Sequence, residues 1–165
     1  MFILKLSLGI LAVFGVLELL HILSYGILKK RILKRQQWGL NICSGKTDGG
    51  GVNADIVKHI EVNNFVSVKD IYNLPFENKQ FKTVICSHTI EHVDDPKRFF
   101  KELQRVGEKV TLVIPPLWDP LAVLNVVEHQ WVFLSFKKEH TELPNYVRLP
   151  LSKRIQERFG QRIHA

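Results

Sequence analysis

Cysteine is scarce in this chain of 165 residues: Cys43 and Cys86 are the whole supply, and no Cys-x-x-Cys pair exists. That excludes a disulfide framework and a zinc ribbon or finger. Proline at 7 and glycine at 10 residues are near ordinary usage, which excludes collagen-like and low-complexity chains. With 45% apolar and 24% charged residues the chain is no disordered polymer, and its length suits one domain with an appended segment. No RNP-like aromatic motif is present, so no nucleic-acid partner is expected.

Acid is what the two ends lack. Residues 1–35 carry six Lys/Arg against one Glu, residues 36–136 ten against twelve acids, and residues 137–165 seven against three. The middle is mildly acidic, and the net +7 comes from the ends, which suits anionic surfaces better than a nucleic-acid face.

From Leu6 to Leu28 almost every position is apolar, with Glu18 and His21 the only strongly polar side chains. That is long enough to span a bilayer. Fourteen Leu, Ile, Val and Phe side chains at about −0.5 kcal/mol each outweigh one acid at about +3 kcal/mol. A cleavable signal peptide carries its bases before the apolar run; here Lys29, Lys30, Arg31, Lys34 and Arg35 follow it. The expectation is a transmembrane anchor over 1–28 that contacts the membrane through 6–28, a basic linker over 29–37, and a cytoplasmic domain over 38–165. An interfacial helix fits less well, because the run has no charged face. Glu18 and His21 share a helix face, either to meet a partner or simply tolerated by a single span.

Short apolar or β-branched runs predict strands at Gly39–Cys43, Val52–Asp55, Phe65–Val68, Thr83–Ser87 and Val110–Ile114. Asp95 as cap, Pro96 at the first position, and Phe99, Phe100, Leu103 and Val106 on one face predict a helix over Pro96–Val106 that Gly107 ends. Strand, helix and strand in that order make a βαβ unit of a mostly parallel, Rossmann-like α/β sheet. Such sheets bind ligands at the carboxyl ends of their strands. There the sequence places the run Ser44 to Gly51, Asp55, Asp70 and Ser87-His88-Thr89-Ile90-Glu91-His92. A strand-end acid suits ribose hydroxyls, and glycines let backbone approach a ligand. His88 to His92 also spells the pattern of inverted zinc proteases, but that needs a long helix, and this stretch runs from a strand into a new helix start at Asp95. No metal is expected.

Leu40-Asn41-Ile42-Cys43-Ser44-Gly45, Val52 to Ile56, Asp70 to Phe76, Phe81 to Val93, Ile114-Pro115-Pro116 and His129 to Phe133 together resemble the class I S-adenosylmethionine-dependent methyltransferases, in their small type 11-like branch. The resemblance implies a shortened class I methyltransferase fold and S-adenosylmethionine as cofactor. It implies cofactor binding by Asn41, Cys43, Ser44, Gly45, Asp55, Asp70, Ser87 and Glu91. Cys43 stands where the family usually has Gly, and the segment after the fifth strand is short. For the acceptor's proton the candidates are His88 first, then His92 and His129, since imidazole titrates near neutrality. A structural role for each remains open.

An anchor favours a small-molecule or lipid-linked acceptor. Trp118, Pro120 and Leu121 to Val127 fit an ordinary amphipathic helix, an acceptor cover or a membrane contact, and the tail Lys137 to Arg162 fits a solvated or head-group-facing surface. The rival to an enzyme is a binding or scaffold protein that keeps the fold without catalysis. Cys43 favours it; Asp55, Asp70 and His88 oppose it.

Overall fold

The computed structural model describes residues 2–159. Met1 and residues 160–165, including Arg162 at the end of the basic tail, lie outside them. The chain opens with a long helix, α1 (Phe2–His21), that continues through a π-helical segment, Ile22–Leu28, into α2 (Lys29–Leu33). The helical stretch Lys5–Leu33 is long and apolar enough to cross a membrane, and its most apolar window is not buried at all. Leu11, Phe14 and Leu19 all lie exposed.

The stretch 29–37 is not simply a linker. Leu33 is buried with Trp38, Ile85 and Val113, and Ile32 packs beside them, so α2 covers a second, smaller core on the sheet. Two apolar residues among five bases are enough to dock this turn. Lys30, Arg31, Lys34 and Arg35 keep their charges exposed at the rim, whereas Lys29 is buried with its Nζ 4.0 Å from the Tyr25 ring centroid.

Next come β1 (Trp38–Ile42), β2 (Gly50–Asp55), β3 (Phe65–Ser67), β4 (Phe81–Ser87), α3 (Pro96–Val106) and β5 (Gly107–Val113). They are followed by α4 (Pro120–Val123), β6 (Trp131–Phe133), β7 (Glu139–His140), β8 (Tyr146–Arg148) and α5 (Ser152–Phe159). Six strands form one sheet in the order β3-β2-β1-β4-β5-β7. The first five are parallel and β7 is antiparallel, while β6 and β8 pair separately. This is the mostly parallel open sheet that the sequence predicts.

The expected alternation of strand and helix holds only at β4-α3-β5. Residues 43–49 cross from β1 to the parallel β2 with no helix. Seven residues reach about 23 Å when extended, enough to return along a five-residue strand. The crossing lies so close to β1 that side chains are excluded: a β-carbon on Gly49 would lie 2.6 Å from that of Asn41, and one on Gly51 would collide with the Trp38 carbonyl. These glycines serve packing and not ligand approach.

The main core lies between the sheet and α3. Asp95 accepts the Arg98 N–H at 2.9 Å and caps the helix, Pro96 follows, and Phe99, Phe100, Leu103 and Val106 are buried. Each such side chain contributes about 2 kcal/mol of burial. They meet Leu40, Ile42, Val84, Cys86 and Leu112 of the central strands. Leu121 to Val127 forms only the single turn α4 and then irregular turns, leaving Leu124 and Val127 exposed.

Candidate functional site

At the carboxyl ends of β1 and β2 the chain bends sharply. Cys43 and Gly45 take φ of 51° and 54°, the left-handed region that favours glycine. Asp55, ending β2, holds this loop: Gly45 N–H donates to its Oδ2 at 2.7 Å and Ile56 N–H to its Oδ1 at 2.7 Å. A β-carbon on Gly45 would meet nothing within 4 Å, so the space over this turn is open.

Asn41 and Ser44, expected at the cofactor surface, are instead buried inside the loop's own framework. The Asn41 amide donates to the Thr47 carbonyl and to Asn53 Oδ1, and the Ser44 carbonyl accepts from Thr47 N–H and its hydroxyl. Short polar side chains do this work because a helix-free crossing leaves backbone groups that need partners. Asp70 is exposed and accepts the Tyr72 N–H at 2.8 Å in its own turn. Ser87, the last residue of β4, has a buried hydroxyl with no hydrogen-bond partner.

Both thiols are free. Burial, with the Asp55 charge beside it, pushes the Cys43 thiol up; burial and the neighbouring Cys43 push Cys86 well up. Neither is a thiolate nucleophile at neutral pH.

Beyond Ser87 the turn 88–92 makes a buried polar cluster. His88 is itself left-handed, with φ of 54°. Its Nε2 lies 2.7 Å from Lys138 Nζ, and its Nδ1 lies 3.2 Å from Glu91 Oε1. An ammonium only donates, so Nε2 accepts and the ring proton sits on Nδ1, facing Glu91. Proximity does not become alignment: neither Glu91 oxygen receives a hydrogen bond, although the residue is fully buried. Burial lowers the His88 pKa to about 4, with the charges of Lys138 and Lys29 adding to it against Glu91. Burial pushes the Glu91 carboxyl up, but the surrounding His88, His92 and His129 outweigh it and hold the group ionised. His92 Nδ1 lies 2.9 Å from the Glu128 carbonyl, and its ring meets His129 edge to face with centroids 4.7 Å apart. With Nε2 accepting from Lys138 and the ring proton on Nδ1, His88 has no free lone pair to act as a base.

Several members of this cluster carry no sequence signal. Lys138, in what reads as a solvated basic tail, is buried; burial lowers its pKa to about 8, against the charges of Glu91 and Asp119. Its Nζ donates to Ser24 Oγ at 2.9 Å, across 114 residues. Tyr25 meets the His88 ring edge to face with centroids 5.0 Å apart. His21 Nδ1 lies 3.1 Å from a carboxylate oxygen of the buried Asp119. His21 thus has a partner, whereas Glu18 stays exposed. The π-helical segment turns Ser24 and Tyr25 onto the domain; such segments recur at functional sites.

Residues 48–113 match the family model described as a methyltransferase domain. No curated protein matches the chain. Among solved structures, a Thermotoga maritima S-adenosylmethionine-dependent methyltransferase, possibly a histamine N-methyltransferase, is 18% identical over 64% of this chain and 58% of its own, with a TM-score of 0.45. A Pyrococcus horikoshii protein is 21% identical over 83% and 79%, also at 0.45. The YcgJ protein of Bacillus subtilis is 19% identical over 63% and 56%, at 0.43. The chain thus spans little more than half the length of the first and third of these. The match to the methyltransferase domain model covers residues 48–113, which run from the loop before β2 to the end of β5.

Proposed function

We propose that this chain is a membrane-anchored methyltransferase that uses S-adenosylmethionine and acts on a small or lipid-linked acceptor at the cytoplasmic surface. The observation that carries the cofactor is the unpartnered Ser87 hydroxyl at the end of β4, beside a β1 loop that is open over Gly45. A buried orphan donor next to open space suits a polar ligand. Asp55 keeps lone pairs beyond the two that it gives to backbone, which suit ribose hydroxyls, and Asp70 is free on its outer side for the adenine amine. When bound, S-adenosylmethionine supplies a sulfonium methyl carbon open to in-line attack. The residues of this chain contribute alignment: His88, His92 and His129 form a polar wall in which Lys138 holds His88 and the Glu128 carbonyl holds His92.

The membrane assignment is supported by an exposed apolar helix with exposed bases Lys30, Arg31, Lys34 and Arg35 at its inner end. That end meets the cluster through Ser24 and Tyr25, so an acceptor held in the bilayer surface needs no long excursion to the site. Exposed Leu124, Val127 and Phe136 extend the apolar surface available to lipid.

Calorimetry of S-adenosylmethionine with the full chain in detergent micelles tests the reading. The wild type binds saturably, Asp55→Asn abolishes binding, and Ser87→Ala weakens it. A folded wild type that takes up no cofactor overturns the proposal. The side chain of Cys43 favours a second reading, a binding module without turnover. Cys43→Gly raises cofactor affinity in an enzyme and yields no turnover in such a module.

A further inference from the structure

The Glu91 carboxyl is fully buried, and neither of its oxygens has a hydrogen-bond partner. A protein interior does not hold a bare charge cheaply; it pairs the charge or binds an ion to it. Besides His88, whose Nδ1 lies 3.2 Å away, two imidazoles with nitrogen lone pairs to give face it. His92 Nδ1 donates to the Glu128 carbonyl, so in the neutral ring Nε2 carries the lone pair. His129 is buried, its Nε2 lies 4.0 Å from Glu91 Oε1, and its Nδ1 has no partner. One donor atom from each of Glu91, His92 and His129 lies within 4.8 Å of the other two.

We propose that Glu91, His92 and His129 bind a divalent first-row transition ion of the zinc class. Two imidazoles and a carboxylate are a donor set of that class, and three protein ligands leave a position for water or an acceptor oxygen. A tetrahedral ion with bonds near 2.1 Å sets its ligand atoms about 3.4 Å apart. The three groups therefore need to close by no more than about 1.4 Å from their present spread. The surroundings have the form that metal sites take: a backbone carbonyl fixes the tautomer of one histidine, and His88, held by Lys138, turns its Nδ1 proton toward the carboxylate. This differs from the inverted-protease pattern, for residues 88–92 form a turn and not a helix, and the third ligand comes from the loop after α4. The site stands independently of the methyl-transfer reading. An ion there would polarise a hydroxyl bound at its open position.

The test uses the untagged full chain in micelles, stripped with a chelator and titrated with Co²⁺ and then Zn²⁺. One equivalent of Co²⁺ is expected to give the visible absorption of a low-coordinate site with nitrogen and oxygen ligands, and Zn²⁺ to bleach it. Glu91→Gln and His129→Asn weaken uptake by roughly tenfold or more. His59→Ala and His140→Ala, which remove imidazoles outside the cluster, leave it unchanged. Circular dichroism melting shows that each variant is folded before titration. Failure of the folded wild type to bind, wild-type uptake by both cluster variants, or loss through His59 or His140 overturns the proposal. Cofactor calorimetry on the same sample separates this failure from that of the methyl-transfer reading.

Discussion

Glu102 on α3 and Glu91 after β4 are both buried carboxylates, and the chain completes one and leaves the other open. Glu102 Oε1 accepts the Leu74 N–H and Arg105 Nη2, each at 2.6 Å, and its Oε2 accepts Arg105 Nε at 2.9 Å. Arg105 goes on to donate to the Leu74 and Phe76 carbonyls and to Asn78, tying the loop before β4 to the helix. Beside it lies a cleft of about 680 Å³ lined by Asn73, Leu74, Phe76, Gln80 and Arg105, far from the carboxyl ends of the strands. The Glu91 carboxylate has three imidazoles around it and receives not one hydrogen bond. A network whose members are all satisfied rigidifies the fold; a buried charge left unsatisfied marks a place where the fold has been subordinated to a ligand.

Glu102→Ala is the strongest way to break that contrast. It strands the Leu74 N–H and the Arg105 guanidinium, and the cost expected is about 2–3 kcal/mol, or some 4–12 °C in melting temperature for a chain of this size. Acid provides the same test without a mutation. Burial pushes the Glu102 carboxyl up, but the Arg105 and Leu74 hydrogen bonds outweigh it and hold the group below its ordinary 4.5. The unfolded chain therefore binds this proton more readily than the folded one. The stabilisation is complete above the unfolded value and is lost as pH falls through the folded one. Glu102→Gln should flatten the acid limb of a stability curve below pH about 4.5, and an unchanged limb would remove Glu102 from the account.

Asp119→Ala is expected to cost about 1–2 kcal/mol, since it removes both the α4 cap and the partner of His21. Proteolysis near residue 30 should speed up if this contact holds the N-terminal helix to the domain. Glu91→Gln completes the contrast from the other side. In metal-free buffer it should cost less than Glu102→Ala, because the Glu91 carboxylate has no hydrogen bond to lose. Equal losses at 91 and 102 would end the distinction.

Legibility in the sequence follows the range of the forces involved. Asp95, Pro96 and the Phe99, Phe100, Leu103, Val106 face state α3 locally, and its ends agree with the structure. The five parallel strands show through their apolar runs, to within three residues at each end. The helices absent between β1, β2, β3 and β4 were not legible, because whether Gly49 and Gly51 serve a ligand or a close crossing depends on a neighbouring strand. His88, Glu91, His92 and His129 are visible as unusual residues at a strand end and in a motif. Lys138, Ser24, Tyr25 and Asp119 are not, since their meeting across about a hundred residues is a tertiary event with no local pattern.

Cys43 carries the smallest effect and bears on the open edge itself. Its φ of 51° costs an L-residue about 1–2 kcal/mol, while the partly buried thiol returns part of that through packing. Cys43→Gly should therefore gain only about 0.5–1 kcal/mol, or 1–4 °C. The informative readout is cofactor binding. A left-handed position beside open Gly45 puts a side chain where a ligand would meet bare backbone, so removing it should raise affinity by more than the gain in stability predicts. A gain in melting temperature alone would mean that the strain at 43 belongs to the helix-free crossing, and that the carboxyl edge is open for a ligand approaching from the Glu91 side.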